Sequence, residues 1–441
     1  YHVEKATGDL DYSLIRTPDT KLTRPEIGYI VNDVRVVTNY IKELMERGES
    51  LAKIPLTKTG RVRIALNQNC IRTPDGKFNF KFVEKMQKST ITLEEYKECK
   101  QAFQGGFTHS NPTNTGMTIK RRVVPFDITS DYPHIMVTKK FPFGTPKHYD
   151  YVSRETFENL IHSCHIIARF DFVNIKSNFL HDYYITTSKF IKSDNVYDSN
   201  GRLVGADSCS IYLTELDFDI IRQTYDFESV EIREALVYPS AYLPIEYVNT
   251  VLDFYESKTV LKGVKGSEIE YQNKKELLNS TYGCCASSII KPLYTYDDGF
   301  GLESEDEQKT IDKYNKSKKR TIFYPWAVYV TAWARWKLWT DAIIPMRGKY
   351  VYSDTDSCYV LESPEVYKHF EKVNREIVSD LKMISKLRGI PLEKLIPKNI
   401  KGIEQPLGVW TQEDICVRFK TLGAKRYMKT LEDGTTKTTV A

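Results

Sequence analysis

The sequence predicts an α+β fold, in which helices and strands occupy separate stretches of one chain. Apolar side chains recur at helical spacing in residues 24–46. Residues 245–283 are typical of two helices joined by a glycine-containing turn, and residues 324–343 favour a further helix rich in Trp and Ala. Residues 119–128 favour a strand that ends in a turn, and residues 349–361 favour two strands around a tight turn.

Other stretches are less regular. The pattern predicts short strands separated by glycine and proline in residues 50–120, and short strands alternating with helical pieces in residues 150–245. A helix opened by Pro133 is expected after the turn that follows residue 128. The charged residues 293–322 favour a hairpin or a mobile loop.

Composition describes an ordinary globular chain of 441 residues, long enough for several domains. The net charge of +5 does not by itself indicate a nucleic-acid partner. The 29 Tyr and 20 Phe residues suit either core packing or base stacking. Eight cysteines without a C-x-x-C pair argue against zinc and favour reduced thiols in a cytoplasmic setting. No stretch is long and apolar enough to span a membrane.

The most informative stretch places Asp354 and Asp356 at the tip of the hairpin predicted in residues 349–361. Strand side chains alternate with period two, so the two carboxylates are expected to project the same way. Like charges held together need a neutralising cation, and Mg²⁺ prefers such oxygen ligands. The alternative is an ordinary turn, in which Asp and Ser are common.

A second stretch carries a further acidic residue, Asp127, at the end of the apolar strand 123–126. If that strand and the hairpin share a sheet, Asp127 meets the hairpin tip, and a cation site forms from two distant segments. The alternative is a turn residue before a helix.

Two further stretches combine cations with polar or aromatic groups. On a helix, Lys275, Asn279 and Tyr282 share one face, which suits a phosphate, a base pair and a sugar. In an extended segment, Lys425 and Tyr427 share a face that suits a backbone phosphate and a sugar. Taken alone, the first stretch is typical of an ordinary surface helix. Taken alone, the second is typical of an ordinary amphipathic edge strand.

Taken in order, these stretches resemble the polymerization motifs of family B DNA polymerases. Residues 127–133 resemble motif A (DxxSLYP) and residues 275–283 resemble motif B (KxxxNSxYG). Residues 352–357 match the YxDTDS of motif C, and residues 425–427 resemble the KxY motif. Residues 103–107 resemble the YxGG region, with Phe in place of its Tyr.

The N-terminal part resembles a remnant of an exonuclease. Tyr29 and Asp33 are similar to the third exonuclease motif, YxxxD, and without partners they would be ordinary helix positions. The first two exonuclease motifs have no counterpart, so we expect no proofreading by this chain. The chain lacks an initiator Met and stops where a thumb would begin, which is typical of a piece of a longer protein.

The resemblance, strongest to the protein-primed phage type, implies a right-hand polymerase palm (an antiparallel sheet with packed helices), helical fingers and two palm insertions. The expected divisions are an exonuclease remnant (1–56), a first palm part (57–143), an insertion like the terminal-protein region (144–244), fingers (245–287), a second insertion hairpin (288–323), a second palm part (324–430) and the start of a truncated thumb (431–441).

The resemblance also implies residue roles. Asp127 and Asp356, with the backbone carbonyl of Ile128, would hold two Mg²⁺ ions, with Mn²⁺ able to substitute, and Asp354 would lie close. Tyr132 would exclude the 2′-hydroxyl. The expected nucleotide-binding residues are Tyr132, Lys275, Asn279, Tyr282 and one of Lys258 and Lys262. The expected primer–template residues are Gly105, Gly106, Ser130, Gly283, Thr355, Lys425 and Tyr427.

Two positions depart from the family pattern. Asp131 stands where Leu is common, and it adds a negative charge near the incoming triphosphate unless it points away. Cys284 stands where a Lys is common.

The expected function is primer extension by a phage replicative, protein-primed and strand-displacing DNA polymerase in the host cytoplasm. Its partners would be primer–template DNA, deoxynucleoside triphosphates and a terminal priming protein, with no membrane. One alternative is a catalytically silent, polymerase-like module that binds nucleic acid. An RNA polymerase or reverse transcriptase is a third reading, against which the aromatic Tyr132 and the NSxYG helix argue.

Overall fold

A computed structural model of the chain describes residues 14, 17, 19–46, 48–55, 57–291, 293–296, 300–303 and 306–440. The first 13 residues of the expected exonuclease remnant therefore lie outside the described residues. Thirteen α-helices are assigned: α1 (Arg24–Glu46), α2 (Lys58–Ile71), α3 (Phe80–Gln87), α4 (Leu93–Ala102), α5 (Asp131–Thr138), α6 (Arg154–Leu160), α7 (Glu215–Thr224), α8 (Ile245–Thr259), α9 (Glu268–Cys285), α10 (Glu307–Lys316), α11 (Tyr324–Leu338), α12 (Pro364–Arg388) and α13 (Leu392–Leu395).

Nineteen strands are assigned in the same described residues, and each of their pairings is antiparallel. They are β1 (Thr108–Ser110), β2 (Thr118–Ile119), β3 (Val123–Ile128), β4 (Lys140–Pro142), β5 (Lys147–Val152), β6 (Cys164–Ser177), β7 (Lys192–Asp194), β8 (Tyr197–Ser199), β9 (Arg202–Thr214), β10 (Tyr225–Asp226), β11 (Ser229–Tyr242), β12 (Leu293–Tyr296), β13 (Phe300–Glu303), β14 (Tyr350–Asp354), β15 (Ser357–Leu361), β16 (Trp410–Gln412), β17 (Cys416–Gly423), β18 (Arg426–Leu431) and β19 (Thr436–Val440).

The α+β prediction is confirmed, and several elements lie where the sequence places them. The helix of residues 24–46, the helix pair of residues 245–283 and the hairpin of residues 349–361 are all present. Residues 324–343 form α11 followed by a short π-helical turn. Strands β12 and β13 pair with each other in antiparallel fashion, and α10 follows them in the chain.

Three predictions of local structure are wrong. Residues 50–120 are mainly helical, because polar caps such as the Thr92–Glu95 capping box start short helices there. The strands expected to be short within residues 150–245 include β6 and β11 of 14 residues each. The helix after β3 begins at Asp131, two residues before Pro133.

The larger sheet has nine strands, in the order β1-β14-β15-β3-β17-β18-β19, with β16 beside β3 and β2 beside β17. Its central strand β3 is almost wholly buried, as expected for a run of Val, Pro and Phe covered on both faces. Residues 436–440 extend the same sheet at its edge. The sheet therefore joins segments that lie hundreds of residues apart in sequence.

The second sheet has eight strands and is built from residues 140–242. Its long strands β6, β9 and β11 pair side by side, and α7 packs against β6 and β9. Phe157, Phe170 and Phe218 form an aromatic cluster on that face, with ring centroids 4.8–5.9 Å apart. These rings belong to the same continuous hydrophobic core as the buried residues of the larger sheet.

Helix α11 packs against α4, α5, α7, α9 and β4, and 13 of its 15 residues are buried. Arg335 on this helix is a buried cation. It forms an ion pair of 2.7 Å with Asp217 and donates to the carbonyls of Gln104 at 2.6 Å and Gly105 at 3.0 Å. One side chain therefore ties α7 to the loop before β1.

The cysteines of the chain are unpaired, and all of them except the half-buried Cys164 are buried. None of the described helices combines the length and apolar character needed to cross a bilayer.

We predict that Arg335→Met destabilises the fold by about 3–5 kcal/mol, because it leaves a buried carboxylate without its cation. The Asp217 side chain is 0% exposed. Urea denaturation measures the loss. Arg375→Met is the matched control: its ion pair with Glu371 is two-thirds exposed, with 67% of each side chain accessible, so the change should be about 0.5 kcal/mol or less. Equal losses in the two variants would contradict the prediction.

Candidate active site

Asp127 and the tip of the β14–β15 hairpin lie side by side in the larger sheet. Asp127 stands opposite Ser357 in the pairing of β3 with β15. The backbone N–H of Ile128 donates to the carbonyl of Asp356 at 2.8 Å. Carboxylates from two distant segments therefore line one cleft of about 580 Å³.

The turn that carries Asp354 and Asp356 is held by the loop before β1. Thr355 has a left-handed backbone with φ of 61°, so the simple strand alternation expected from the sequence does not apply across it. Its N–H donates to the carbonyl of Phe107 at 2.8 Å. A Cβ on Gly106 would lie 2.6 Å from Cγ2 of Thr355, so glycine is required at this close approach.

The acidic groups of the cleft repel one another. Burial raises the pKa of Asp127 to about 7, and the charges of Asp356 and Glu413 add to the rise. Burial also raises the pKa of Asp356 to about 6, with Asp354 and Glu413 contributing. Such a cluster favours a bound cation, because a cation replaces repulsion by attraction.

Two candidate lysines that the sequence could not separate differ in the structure. Lys258 is largely buried and donates to Oγ of Ser130 at 2.8 Å, on the turn between Asp127 and α5. Burial, together with Lys262 and Lys275, lowers the pKa of Lys258 to about 8. Lys262 is exposed and donates to Oε1 of Gln405 at 2.9 Å. Lys258 is therefore the one directed at the cleft.

The remaining motif B residues are on α9, where Asn279 and Tyr282 line the cleft. The Tyr282 ring packs 4.5 Å from that of Tyr132, the first-turn residue of α5. Lys275 is exposed and close enough to lower the pKa values of Asp127 and Asp356. Gly283 lies inside α9, and a Cβ there would meet only open space.

Lys425 and Tyr427 also line the cleft, in an arrangement different from the one expected. Lys425 sits in the turn between β17 and β18 with φ of 54°, so it is not extended. Its Nζ lies 3.4 Å from Oδ1 of Asp354, and its N–H donates to the Tyr352 hydroxyl at 3.0 Å. The Tyr427 ring stacks on Phe419 at 5.6 Å.

Two acidic residues change the electrostatics that the sequence suggested. Glu413, between β16 and β17, lines the cleft, and no motif or periodicity points to it. Asp131 is 2% exposed, and neither carboxylate oxygen has a hydrogen-bond partner among the described residues. Burial raises its pKa to about 8, so Asp131 carries less negative charge at neutral pH than an ordinary Asp.

The other expected residues fall in two places. Gly105, Gly106 and Thr355 meet where the loop before β1 touches the hairpin tip. Tyr29 and Asp33 lie on α1 and line no part of the cleft.

Within the described residues, no group of three or more His, Cys, Asp and Glu side chains is arranged to hold a metal ion. A Mg²⁺ site needs fewer protein ligands, since Mg²⁺ takes one or two carboxylates and completes its shell with waters and substrate phosphates. Burial and the neighbouring carboxylates raise the pKa values of Asp127 and Asp356, so a bound cation would relieve their repulsion. These residues therefore fit the ion.

Comparison with known proteins identifies the class. The sequence profile of the family described as DNA polymerase type B, organellar and viral, matches residues 2–363, and the chain belongs to this family. The DNA polymerase of Bacillus phage phi29 is 25% identical over 430 residues, which cover 96% of this chain and 62% of the relative. That of Bacillus phage Nf is 28% identical, with 96% and 63% covered.

The fold agrees. A structure of the phi29 DNA polymerase, complexed with primer–template DNA and incoming nucleotide substrates, matches 99% of this chain and 68% of that chain, with a TM-score of 0.63 and 22% identity. The chain spans less than two thirds of the length of the curated phi29 and Nf relatives.

We predict that affinity for Mg²⁺ rises between pH 6 and pH 8, because Asp127 and Asp356 must lose protons to bind it. Their pKa values of about 7 and about 6 place proton release in this window. The stability of the ion-free fold depends on pH in the opposite sense. Because the pKa of Asp127 is raised, its protonation stabilises the fold at low pH, and that stability is lost as the pH rises through about 7. Calorimetry in buffers of different ionisation enthalpy measures the released protons, and a flat affinity profile would oppose the assignment.

Proposed function

We propose that this chain is a DNA-directed DNA polymerase that adds deoxynucleotides to the 3′ end of a primer. The observation that supports it is the meeting, in one cleft, of Asp127 from β3 with Asp356 from the β14–β15 hairpin. Lysines and tyrosines from α5, α8 and α9 surround these acids. Phosphoryl transfer needs mainly positioning and charge stabilisation, which such a cleft supplies.

The acids would hold divalent cations, Mg²⁺ in the first instance with Mn²⁺ as a substitute. Asp127, Asp356 and the carbonyl of Ile128 would be the ligands, with Asp354 beside them. When bound, the two ions activate the primer 3′-hydroxyl and neutralise the triphosphate and the leaving pyrophosphate. Asp354 is held by Thr108, whose hydroxyl donates to its Oδ1 at 2.9 Å, so it keeps its place when the cleft is empty.

The triphosphate would be bound by Lys258 and Lys275. Lys258 reaches the cleft through Ser130, and its hydrogen bond to that hydroxyl is readily exchanged for a bond to a phosphate oxygen. Lys275 lies on α9, the helix that follows the one carrying Lys258. Asn279 and Tyr282, on the same helix, would pack on the nascent base pair.

Tyr132 would lie beneath the sugar. Its ring is fixed against Tyr282 and by the first turn of α5, so it cannot retreat from an added 2′-hydroxyl. Lys425 and Tyr427 would contact the primer terminus, and Gly105, Gly106, Ser130, Gly283 and Thr355 the primer–template. The position of the Tyr132 ring would thus select deoxyribose by shape alone.

The partners follow from the relatives. We infer primer–template DNA and deoxynucleoside triphosphates, since the phi29 enzyme is complexed with both. A terminal priming protein would bind the insertion of residues 144–244, and the second insertion, residues 288–323, would assist strand displacement. The palm, fingers, insertion, thumb and exonuclease-remnant divisions given above, and a site of action in the host cytoplasm, belong to the same proposal.

The alternative function, a catalytically silent module that binds nucleic acid, would have no use for buried acids that repel one another.

We predict that Asp127→Asn and Asp356→Asn each lower primer extension by more than about 10³-fold, since each removes a metal ligand. DNA affinity in a gel-shift assay should change little. Asp226→Asn, an exposed residue of the second sheet, is the control and should extend normally. Extension at the native rate by either cleft variant would exclude the metal assignment.

We predict that Tyr132→Val admits ribonucleotides, because removing the ring opens space beneath the sugar. The ratio of kcat/KM for deoxy- and ribonucleotides should fall about 10–200-fold. Tyr132→Phe keeps the ring and should keep the discrimination. If both variants discriminate like the native chain, another residue excludes the 2′-hydroxyl.

We predict that Lys258→Ala raises KM for the nucleotide about 10–100-fold, the effect of losing a charged hydrogen bond. Lys262→Ala, one helical turn away and exposed, should leave KM within about twofold, as is usual for an exposed charge. Steady-state extension with varied nucleotide distinguishes them. A larger effect at Lys262 would reverse the assignment.

A further inference from the structure

A buried carboxylate from the second sheet reaches the base of the catalytic hairpin. Asp182, in the loop after β6, is 0% exposed. It accepts hydrogen bonds from the Tyr350 hydroxyl at 2.6 Å and the N–H of Tyr183 at 2.8 Å. It also pairs with Nδ1 of His109. Three donors thus satisfy this carboxylate, as buried charges require.

Two of these donors belong to the strands that support the active-site turn. Tyr350 is the first residue of β14, and its hydroxyl lies 3.0 Å from Oγ of Ser353. His109 is in β1, directly opposite Ser353 in the strand pairing. Asp182 therefore joins β1 and β14 at the residue just before Asp354.

The same two strands hold the acidic turn itself. Thr108 in β1 donates to Asp354 at 2.9 Å, and Phe107 accepts from the N–H of Thr355 at 2.8 Å. The guanidinium of Arg202, from β9 of the second sheet, lies 4.6 Å over the Phe107 ring and donates to the Tyr184 carbonyl at 2.8 Å. Two contacts thus connect the second sheet to the turn, one polar and one cation–π.

We propose that Asp182 is a positioning residue for the active site, holding β1 and β14 in the register that brings Asp354 and Asp356 to Asp127. The inference rests on the proposed polymerase function. It assigns the second sheet a role in catalysis that does not depend on any partner. Loss of the Asp182 carboxylate takes this acceptor from the buried His109 ring. It leaves the Tyr350 hydroxyl only the Ser353 Oγ at 3.0 Å and the His109 carbonyl at 3.3 Å, so the hairpin relaxes.

The chain contains a matched control. Glu215, the first residue of α7 and 8% exposed, accepts from the Tyr329 hydroxyl at 2.6 Å and the Ile166 N–H at 2.9 Å, and pairs with Nδ1 of His165 at 2.8 Å. The donors are of the same three kinds as those of Asp182. They hold α11 and β6, however, and not the hairpin.

Hydrogen–deuterium exchange tests the positioning without any need for turnover. In Asp182→Asn, amide exchange in peptides of residues 350–361 should speed up at least about tenfold, since local opening becomes easier. In Glu215→Gln the same peptides should exchange as in the native chain, although thermal stability falls comparably. Unchanged exchange at residues 350–361 in Asp182→Asn overturns the inference.

Kinetics supply the second readout. Asp182→Asn should lower kcat about 10–100-fold, the effect of a misplaced catalytic group, with KM for the nucleotide and DNA affinity within twofold. Glu215→Gln should keep its kcat. Tyr350→Phe removes the hydroxyl contacts of this side chain but keeps the pairing of His109 with Asp182, so it should give a smaller loss, and it carries the test if Asp182→Asn does not fold. Equal kcat losses at Asp182 and Glu215 overturn the inference. A native chain that never extends a primer refutes the proposed function, while the exchange result still decides the positioning.

Discussion

Repulsion among carboxylates is the constraint around which this structure is built. Asp127, Asp354, Asp356 and Glu413 converge on a partly buried cleft, where burial and the neighbouring acids raise the pKa values of Asp127 and Asp356. Their approach costs free energy that the surrounding fold must supply. Backbone hydrogen bonds, such as that from the N–H of Ile128 to the carbonyl of Asp356, contribute to holding these strands together.

Polar contacts inside the apolar core extend this support. Arg335 binds two carbonyls of the loop before β1, and that loop in turn holds Thr355 and Asp354. Asp182 reaches the same strands from the second sheet. Apolar packing sets which layers meet, but it tolerates small sliding movements. A buried charge with several fixed partners does not, so these contacts define register at the site.

The sequence predicts more of the candidate site than of the fold that surrounds it. Strand β3, the β14–β15 hairpin and α9 follow from short patterns, and their residues meet where the patterns imply. Residues 50–120 were mistaken for strands because their helices are short and separated by Gly and Pro, although the capping box at Thr92 marked one of them. Glu413 lies in an irregular segment and enters the cleft only through tertiary structure. The choice of Lys258 over Lys262 needed the position of Ser130, which no spacing reveals.

The strand order of the larger sheet also determines how long β3 remains without its neighbours during synthesis. Strand β3 lies between β15 and β17, both of which follow it by more than 200 residues. At about 5–20 residues per second, a ribosome takes roughly 10–45 s to deliver the first of these neighbours. Throughout that interval an apolar strand has both edges unpaired, a state prone to aggregation. The second sheet is complete within residues 140–242, so all of its strands are synthesised before β15 emerges.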